Sequence, residues 1–192
     1  TGHQTGQREF LRPSLHEIQG WLTGEGPVPY LGPDSAYQIY EETFHSEMES
    51  CEDVIDRIFK EINSYPQLFA EEEDCNLYAW LDNLGCYSPI IHLQQTNGQS
   101  SSHLPFTSAN NEKGIVHPRK VLQSIAHSYE RPPQPEMPPR CSDIYLTFEI
   151  FPRTADHPRE LLSALAQSVQ YWRQWLPEDG LRLDELLLNS HD

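Results

Sequence analysis

The sequence predicts an α+β domain in which five or six helices, one of them long, acidic and amphipathic, pack on a small β-sheet. Residues 34–65 carry apolar side chains three or four positions apart, which is the spacing of one helical face. Residues 143–151 instead alternate with the period of two that a strand requires. Hydrophobic residues make up 37% of the 192 positions and aromatic residues 10%, enough to bury the core of a single domain spanning 1–192.

The chain opens with a polar stretch, residues 1–12, which we expect to be loose. Ser14 and Glu17 then have the spacing of a capping box, in which each side chain satisfies a backbone N–H at the start of a helix. Leu15, Ile18 and Leu22 would share one face of this short helix. A loop rich in proline and glycine follows it.

The long helix is predicted to begin at Asp34 or Ser35 and to end before Pro66. A second cap at Ser50 and Asp53 offers an alternative, in which the helix divides near Cys51. The predicted apolar face consists of Tyr37, Tyr40, Phe44, Met48, Cys51, Ile55, Ile58 and Ile62. Residues 71–84 predict a further helix, with Gly85 as its stop and with an inward side formed by Leu77, Trp80, Leu81 and Leu84.

The pattern changes after Cys86. Residues 87–94 predict a short strand, and Pro89 favours an edge position because proline lacks a backbone N–H. Residues 96–113 are mostly polar and predict a mobile loop. Residues 115–129 predict a helix with Pro118 in its first turn.

A proline-rich connector, residues 130–142, leads to the strand at 143–151. One face of that strand is wholly apolar and must cover a core: Ile144, Leu146, Phe148 and Ile150. Asp156 is a candidate cap for a last long helix, whose predicted inward residues are Leu161, Leu162, Leu165, Val169, Trp172 and Leu176. A short final helix is predicted around Leu183.

The formal charge of −16 is concentrated in one region. Residues 34–82 contain fourteen Asp or Glu and only two basic residues, Arg57 and Lys60. Such a field repels phosphate backbones, so we expect no direct binding of nucleic acid. It suits a protein partner with a basic patch, and the candidate partner-binding residues are Glu41, Glu42, Glu49, Glu52, Glu71, Glu72 and Glu73.

No apolar run approaches the roughly 18 residues that a membrane helix needs, so the sequence predicts no membrane partner. The four cysteines include no CxxC pair. This favours free thiols and an intracellular setting, cytoplasmic or nuclear, while two disulfides in a secreted protein remain the alternative.

No strong catalytic motif is present: neither a P-loop, nor GxGxxG, GxSxG or HExxH. The second half does gather histidines and cysteines, and its candidate metal ligands are His92, His117, His127 and Cys141, although none has the tight spacing usual for zinc. Cys86 is a candidate thiol nucleophile if a histidine lies beside it. No cofactor is predicted.

These patterns support one leading function and two alternatives. The leading hypothesis is a protein–protein interaction or regulatory domain acting through its acidic helical surface. The alternative is a small-molecule or metal-dependent enzyme with a site lined by His and Cys in the second half. A third reading is a structural subunit that forms a homodimer through the apolar face of the long helix.

Overall fold

The computed structural model describes Arg8 and residues 10–44, 50–151 and 157–188. The described residues form eight helices and one small two-stranded parallel sheet, which confirms the predicted α+β class. Their contacts group into two compact units, one comprising Arg8–Cys75 and the other beginning at Asn76. Within the described part of the chain, no helix is long and apolar enough to cross a membrane.

The first unit contains α1 (Leu15–Leu22), α2 (Asp34–Phe44) and α3 (Cys51–Asn63), followed by 3-10 turns at Pro66–Leu68 and Glu72–Cys75. The predicted capping box starts α1, because the Ser14 side chain accepts the Glu17 N–H while Glu17 accepts the Ser14 N–H. The three helices enclose a core formed by Ile18, Trp21, Leu31, Ala36, Val54, Ile55, Ile58, Ile62 and Phe69.

The long predicted helix is two helices. Ser50 has an extended backbone and its side chain accepts the Asp53 N–H, so it caps α3. This agrees with the alternative in which the helix divides near Cys51. Ile55, Ile58 and Ile62 are buried within this unit, while Met48 lies outside the described residues. The homodimer through this helix stays a prediction.

The second unit holds the sheet and five helices. Its elements in chain order are α4 (Leu77–Leu84), a 3-10 turn (Gly85–Tyr87), β1 (Ile90–Leu93), α5 (Ser108–Asn111), α6 (Pro118–Glu130), β2 (Tyr145–Phe148), α7 (Pro158–Arg173) and α8 (Leu183–Leu188). Asn76 caps α4 by accepting the N–H groups of Tyr78 and Ala79, so the acids before it form a separate 3-10 turn and not the predicted first turn of this helix.

Strands β1 and β2 run parallel, with Ile90 opposite Tyr145 and Leu93 opposite Phe148. As predicted, the Leu146 and Phe148 side of β2 packs on a core together with β1, α6 and α7. The buried members of this core are Leu93, Phe106, Val116, Val121, Ile125 and Trp172. Ile90, His92 and Tyr145 point to the opposite, exposed side of the sheet.

Two apolar faces differ from expectation. On α7, Leu162 is 65% exposed and Val169 is 42% exposed, because the helix turns Ser168 toward the core together with Trp172, whose inward position was predicted. On α4, Trp80 is 39% exposed. His157 caps α7, and the predicted cap Asp156 lies outside the described residues.

Candidate functional site

The candidate site lies where the two parallel strands end. The Glu149 N–H donates to the Leu93 carbonyl at 2.9 Å, so the ladder continues one residue beyond β2. Ligands of open α/β sheets bind outside the carboxyl ends of their strands, because loops and helix termini supply polar groups there. This edge is therefore the first place to look for chemistry.

Three ionisable side chains meet at this edge. One oxygen of Glu149, Oε2, lies 3.4 Å from His92 Nδ1 and 3.7 Å from His103 Nε2. His92 comes from β1, His103 from the loop that follows, and Glu149 from the end of β2. The side chain of Glu149 is 26% exposed and that of His103 is 13% exposed, whereas that of His92 is 56% exposed. The carboxylate is thus half-buried between two imidazoles.

His103 is held in an unusual conformation. Its φ of 46° lies in the left-handed region, which non-glycine residues seldom adopt. Its N–H donates to Gln94 Oε1 at 2.5 Å, and its ring stacks on Phe151 with centroids 4.0 Å apart and planes 4° apart. Its Nδ1 lies 3.3 Å from both Oγ and the carbonyl oxygen of Ser101. Such strain is retained when the surroundings enforce it, and it concentrates at functional sites.

Gln95 anchors the loop that carries His103. The side chain is 1% exposed, yet both ends are satisfied: Nε2 donates to Asn111 Oδ1 and Val116 O, and Oε1 accepts from the N–H groups of Thr96 and Val116, all at 3.0–3.1 Å. A Cβ on Gly114 would lie 2.1 Å from Gln95 Cδ, so only glycine fits beside it. The backbones of Gln95 and Leu104 also pair as an antiparallel bridge. The mobility predicted for residues 96–113 stays a prediction.

A cleft of about 420 Å³ adjoins this cluster. The loop carrying His103 forms one wall, residues 150–151 after β2 form another, and the first turns of α7 form a third. The lining residues are Ser101, Ser102, His103, Leu104, Pro105, Ile150, Phe151, Glu160, Leu161 and Ala164. This volume lies within the range of small-molecule sites. His103 belongs to both the cleft and the carboxylate cluster.

The four predicted metal candidates have different partners. His92 faces Glu149, whereas His127 Nδ1 lies 3.6 Å from Asp82 Oδ1. The His117 N–H donates to the Tyr78 hydroxyl, and the Cys141 N–H donates to the Cys86 carbonyl. Among the described residues, no group of three His, Cys, Asp or Glu side chains is arranged to hold a metal ion. Cys86, the candidate nucleophile, is fully buried.

The predicted partner-binding acids lie in the first unit, where several already have internal partners. Glu72 forms a two-point ion pair with Arg8, and this pair lowers the pKa of the Glu72 carboxyl. Glu42 lies 3.3 Å from Arg57. Glu41, Glu52, Glu71 and Glu73 are exposed, and Glu49 lies outside the described residues. Most of this charge therefore lies on a solvated surface.

Sequence reasoning missed Glu149 and the role of His103. Neither residue lies in a sequence motif, and 46 positions separate them in the chain. A signal was available in principle, because Glu149 is an acid between apolar residues near the end of one predicted strand and His92 lies near the end of the other. Only the parallel pairing of the two strands makes these positions neighbours.

No protein-family model matches the chain. A stretch of 104 residues is 30% identical to D-erythrulose 1-phosphate 3-epimerase of Brucella abortus (strain 2308). The match covers 54% of this chain and 30% of the epimerase, so the chain spans less than a third of that relative's length. The similarity is to a small-molecule enzyme. It makes the predicted interaction or regulatory function wrong and supports the alternative of a small-molecule enzyme.

Proposed function

We propose that this chain catalyses proton transfer at a carbon next to the carbonyl group of a small sugar phosphate. The observation that carries the proposal is the Glu149 carboxylate held between His92 and His103 beside a cleft of small-molecule size. The similarity to an epimerase of a phosphorylated ketose supports the substrate class.

The chemistry follows from the name of the relative. In erythrulose 1-phosphate the ketone is at C2, so the C3 hydrogen is next to a carbonyl. Inversion at C3 breaks the C3–H bond, and its electron pair forms a C2–C3 double bond while the carbonyl pair moves onto oxygen. A proton returned to the other face of C3 gives the epimer. The site must therefore supply a base, a group that stabilises the enediolate oxygen, and an acid.

Glu149 is the proposed base. Both imidazoles approach its Oε2, which holds the carboxylate in place beside the cleft. His103 lines the cleft itself, and an imidazole N–H there can donate to the enediolate oxygen. A carboxylate base paired with an imidazole electrophile is an established arrangement for proton transfer next to a carbonyl.

Glu160 is the proposed second acid–base group. It lines the cleft from the first turn of α7, a different wall from the one that carries His103. Inversion is simplest when two groups on different sides of the substrate exchange protons with the same carbon. Because Glu160 also accepts the His157 N–H at 3.4 Å, its carboxylate is held near the helix start.

The test is exchange at C3 of D-erythrulose 1-phosphate in D₂O, followed by proton NMR. We expect the C3–H signal to disappear with the wild-type chain. Glu149→Gln should slow this exchange by about 10²–10⁴-fold, the usual contribution of a positioned acid or base. Unchanged circular dichroism would show that the variant is folded.

Two matched controls accompany this variant. Glu136→Gln removes an exposed acid of the proline-rich connector, and His127→Asn removes an imidazole that also pairs with a carboxylate, that of Asp82. Both should retain exchange within about two-fold, whereas His103→Asn should not. No exchange by the wild-type chain, or equal losses in Glu149→Gln and Glu136→Gln, would overturn the proposal. Repeating the assay after chelation shows whether a divalent cation contributes.

We also propose an intracellular setting, since the four cysteines are free.

A further inference from the structure

Two cysteines lie side by side at the other end of the sheet. Cys86 is in the turn that leads to β1, and Cys141 is in the segment that leads to β2. The Cys141 N–H donates to the Cys86 carbonyl at 2.8 Å, although 54 residues separate them in the chain. The proposed catalytic cluster is at the carboxyl ends of the same two strands, so this pair plays no part in it.

That hydrogen bond sets an upper limit on the separation of the two residues. With standard covalent geometry it holds their Cα atoms no more than about 6.7 Å apart. Disulfides span Cα separations of roughly 4.4–6.8 Å. The backbone separation therefore does not exceed what a disulfide can span.

Tyr129, on α6, is one of two side chains of this helix that bond to the backbones of the cysteines. Its hydroxyl donates to the Cys141 carbonyl at 2.7 Å. Burial is the main cause of its raised pKa, and the nearby thiols of Cys141 and Cys86 add to it. The Ser128 hydroxyl accepts the Cys86 N–H at 2.8 Å and fixes that residue from the same helix. The backbones of both cysteines are thus held by neighbouring residues of one helix.

The two thiols differ in access. Cys86 is fully buried, whereas Cys141 is partly exposed. A small oxidant therefore reaches Cys141 first and converts it to a sulfenic acid. Cys86 is then the thiol that reacts with this sulfenic acid to form the disulfide. Cys51 and Cys75 belong to the other unit.

We infer that Cys86 and Cys141 are a redox-responsive pair that forms a reversible disulfide when the chain meets a peroxide. In the first step the Cys141 sulfur attacks the peroxide, the O–O bond breaks, and a sulfenic acid and one water form. In the second step the Cys86 sulfur attacks that sulfenic sulfur, the S–O bond breaks, and a second water leaves. Two thiols are oxidised and one hydrogen peroxide is reduced.

The bond would tie the entries of β1 and β2 together. It closes a long loop of the unfolded chain, and such cross-links stabilise chiefly by restricting that state. For a protein of this size we expect the melting temperature to rise by roughly 5–15 °C. Reduction by dithiothreitol should reverse the change.

The test treats the reduced chain with hydrogen peroxide, blocks remaining thiols, and maps the digest by mass spectrometry without reduction. We expect one linked peptide joining Cys86 to Cys141 and an intact mass lower by about 2 Da, before blocking, than that of the reduced chain. Cys141→Ser and Cys86→Ser should each abolish the link and the rise in melting temperature. The double variant Cys51→Ser/Cys75→Ser should retain both.

Cys141→Ser is the decisive variant, because serine fits at a partly exposed position even if the buried Cys86→Ser fails to fold. A bond that involves Cys51 or Cys75, a disulfide between two chains, or a sulfinic acid at Cys141 without any bond would each overturn the inference.

Discussion

The two units of this protein differ in what their charges do. In the unit Arg8–Cys75, acids outnumber bases heavily, yet the acidic side chains that the structure describes either face solvent or pair locally, as Glu72 does with Arg8 and Glu42 with Arg57. In the unit that begins at Asn76 the excess is much smaller, with thirteen acidic and nine basic residues in 76–192. There one carboxylate, Glu149, is half-buried between two imidazoles beside a cleft. The contrast teaches that the placement of a few groups indicates chemistry better than the amount of charge.

The cores of the two units differ in a parallel way. The core of the first unit is built from helix faces alone and uses mainly aliphatic side chains with Trp21 and Phe69. The core of the second unit joins strands to helices and contains an aromatic group around Phe106, which contacts Phe148, Tyr171 and Trp172. Only the second core ends in an open sheet edge where polar side chains collect.

The largest expected effect on stability would come from the core of the first unit. Ile58 is fully buried, so Ile58→Ala should lower the free energy of unfolding by about 2–5 kcal/mol through lost burial and a cavity. Urea denaturation measures the loss, and hydrogen exchange should place it at the amides of α1 and α3. The control Leu15→Ala removes a side chain that is 56% exposed and should cost less than about 1 kcal/mol. Equal costs would show that this unit has no core of its own.

The next effect concerns the loop of the candidate site. Gln95→Leu should lower the free energy of unfolding by about 2–4 kcal/mol, because it leaves the N–H groups of Thr96 and Val116 buried without acceptors. It should also lower kcat/KM for the proposed exchange, since the loop places His103. Gln99→Leu, at an exposed position of the same loop, is the control and should change stability by less than about 0.5 kcal/mol. Normal kcat/KM in Gln95→Leu would show that Gln95 is not needed to position His103 for the exchange.

A smaller, pH-dependent effect is expected at the start of α1. Hydrogen bonds from the Ser14 side chain and backbone hold the pKa of Glu17 below its usual value of 4.5. A carboxyl whose pKa is lowered by folding stabilises the fold above its unfolded pKa, and that contribution disappears as the pH falls through its folded pKa. Glu17→Gln should therefore melt lower than wild type at pH 7, with the difference vanishing in acid. A difference in melting temperature that persists in acid would show that the ionised carboxylate of Glu17 is not its cause.

The smallest effect is expected from the exposed acids. Glu41→Gln, Glu71→Gln and Glu73→Gln together should leave kcat/KM for the proposed exchange within about two-fold and stability within about 1 kcal/mol, because solvated surface charges contribute little. Enzyme assays and thermal melts at low and at physiological salt check both values. A loss of activity of ten-fold or more would break the contrast between the two units by giving the acidic surface a functional role.

Local signals in the sequence were sufficient for several elements. Ser14 and Glu17 start α1, Ser50 starts α3, and the alternation along β2 identifies its buried side. Each signal depends on bonds or periodicities within a few residues, so the chain needs no distant partner to express it. The α+β class follows from the order of these elements.

Other features depended on the tertiary structure. Whether Leu162 and Val169 are buried depends on which side of α7 meets the sheet, and a pattern along one helix does not specify that. The approach of Glu149 to His92 and His103 requires β1 and β2 to pair in parallel across a crossover of more than fifty residues. The same pairing brings Cys86 beside Cys141. The sequence by itself determined the elements and the location of the charge. Only long-range strand pairing decided which side chains meet, because contacts between distant residues depend on the packing of the whole unit.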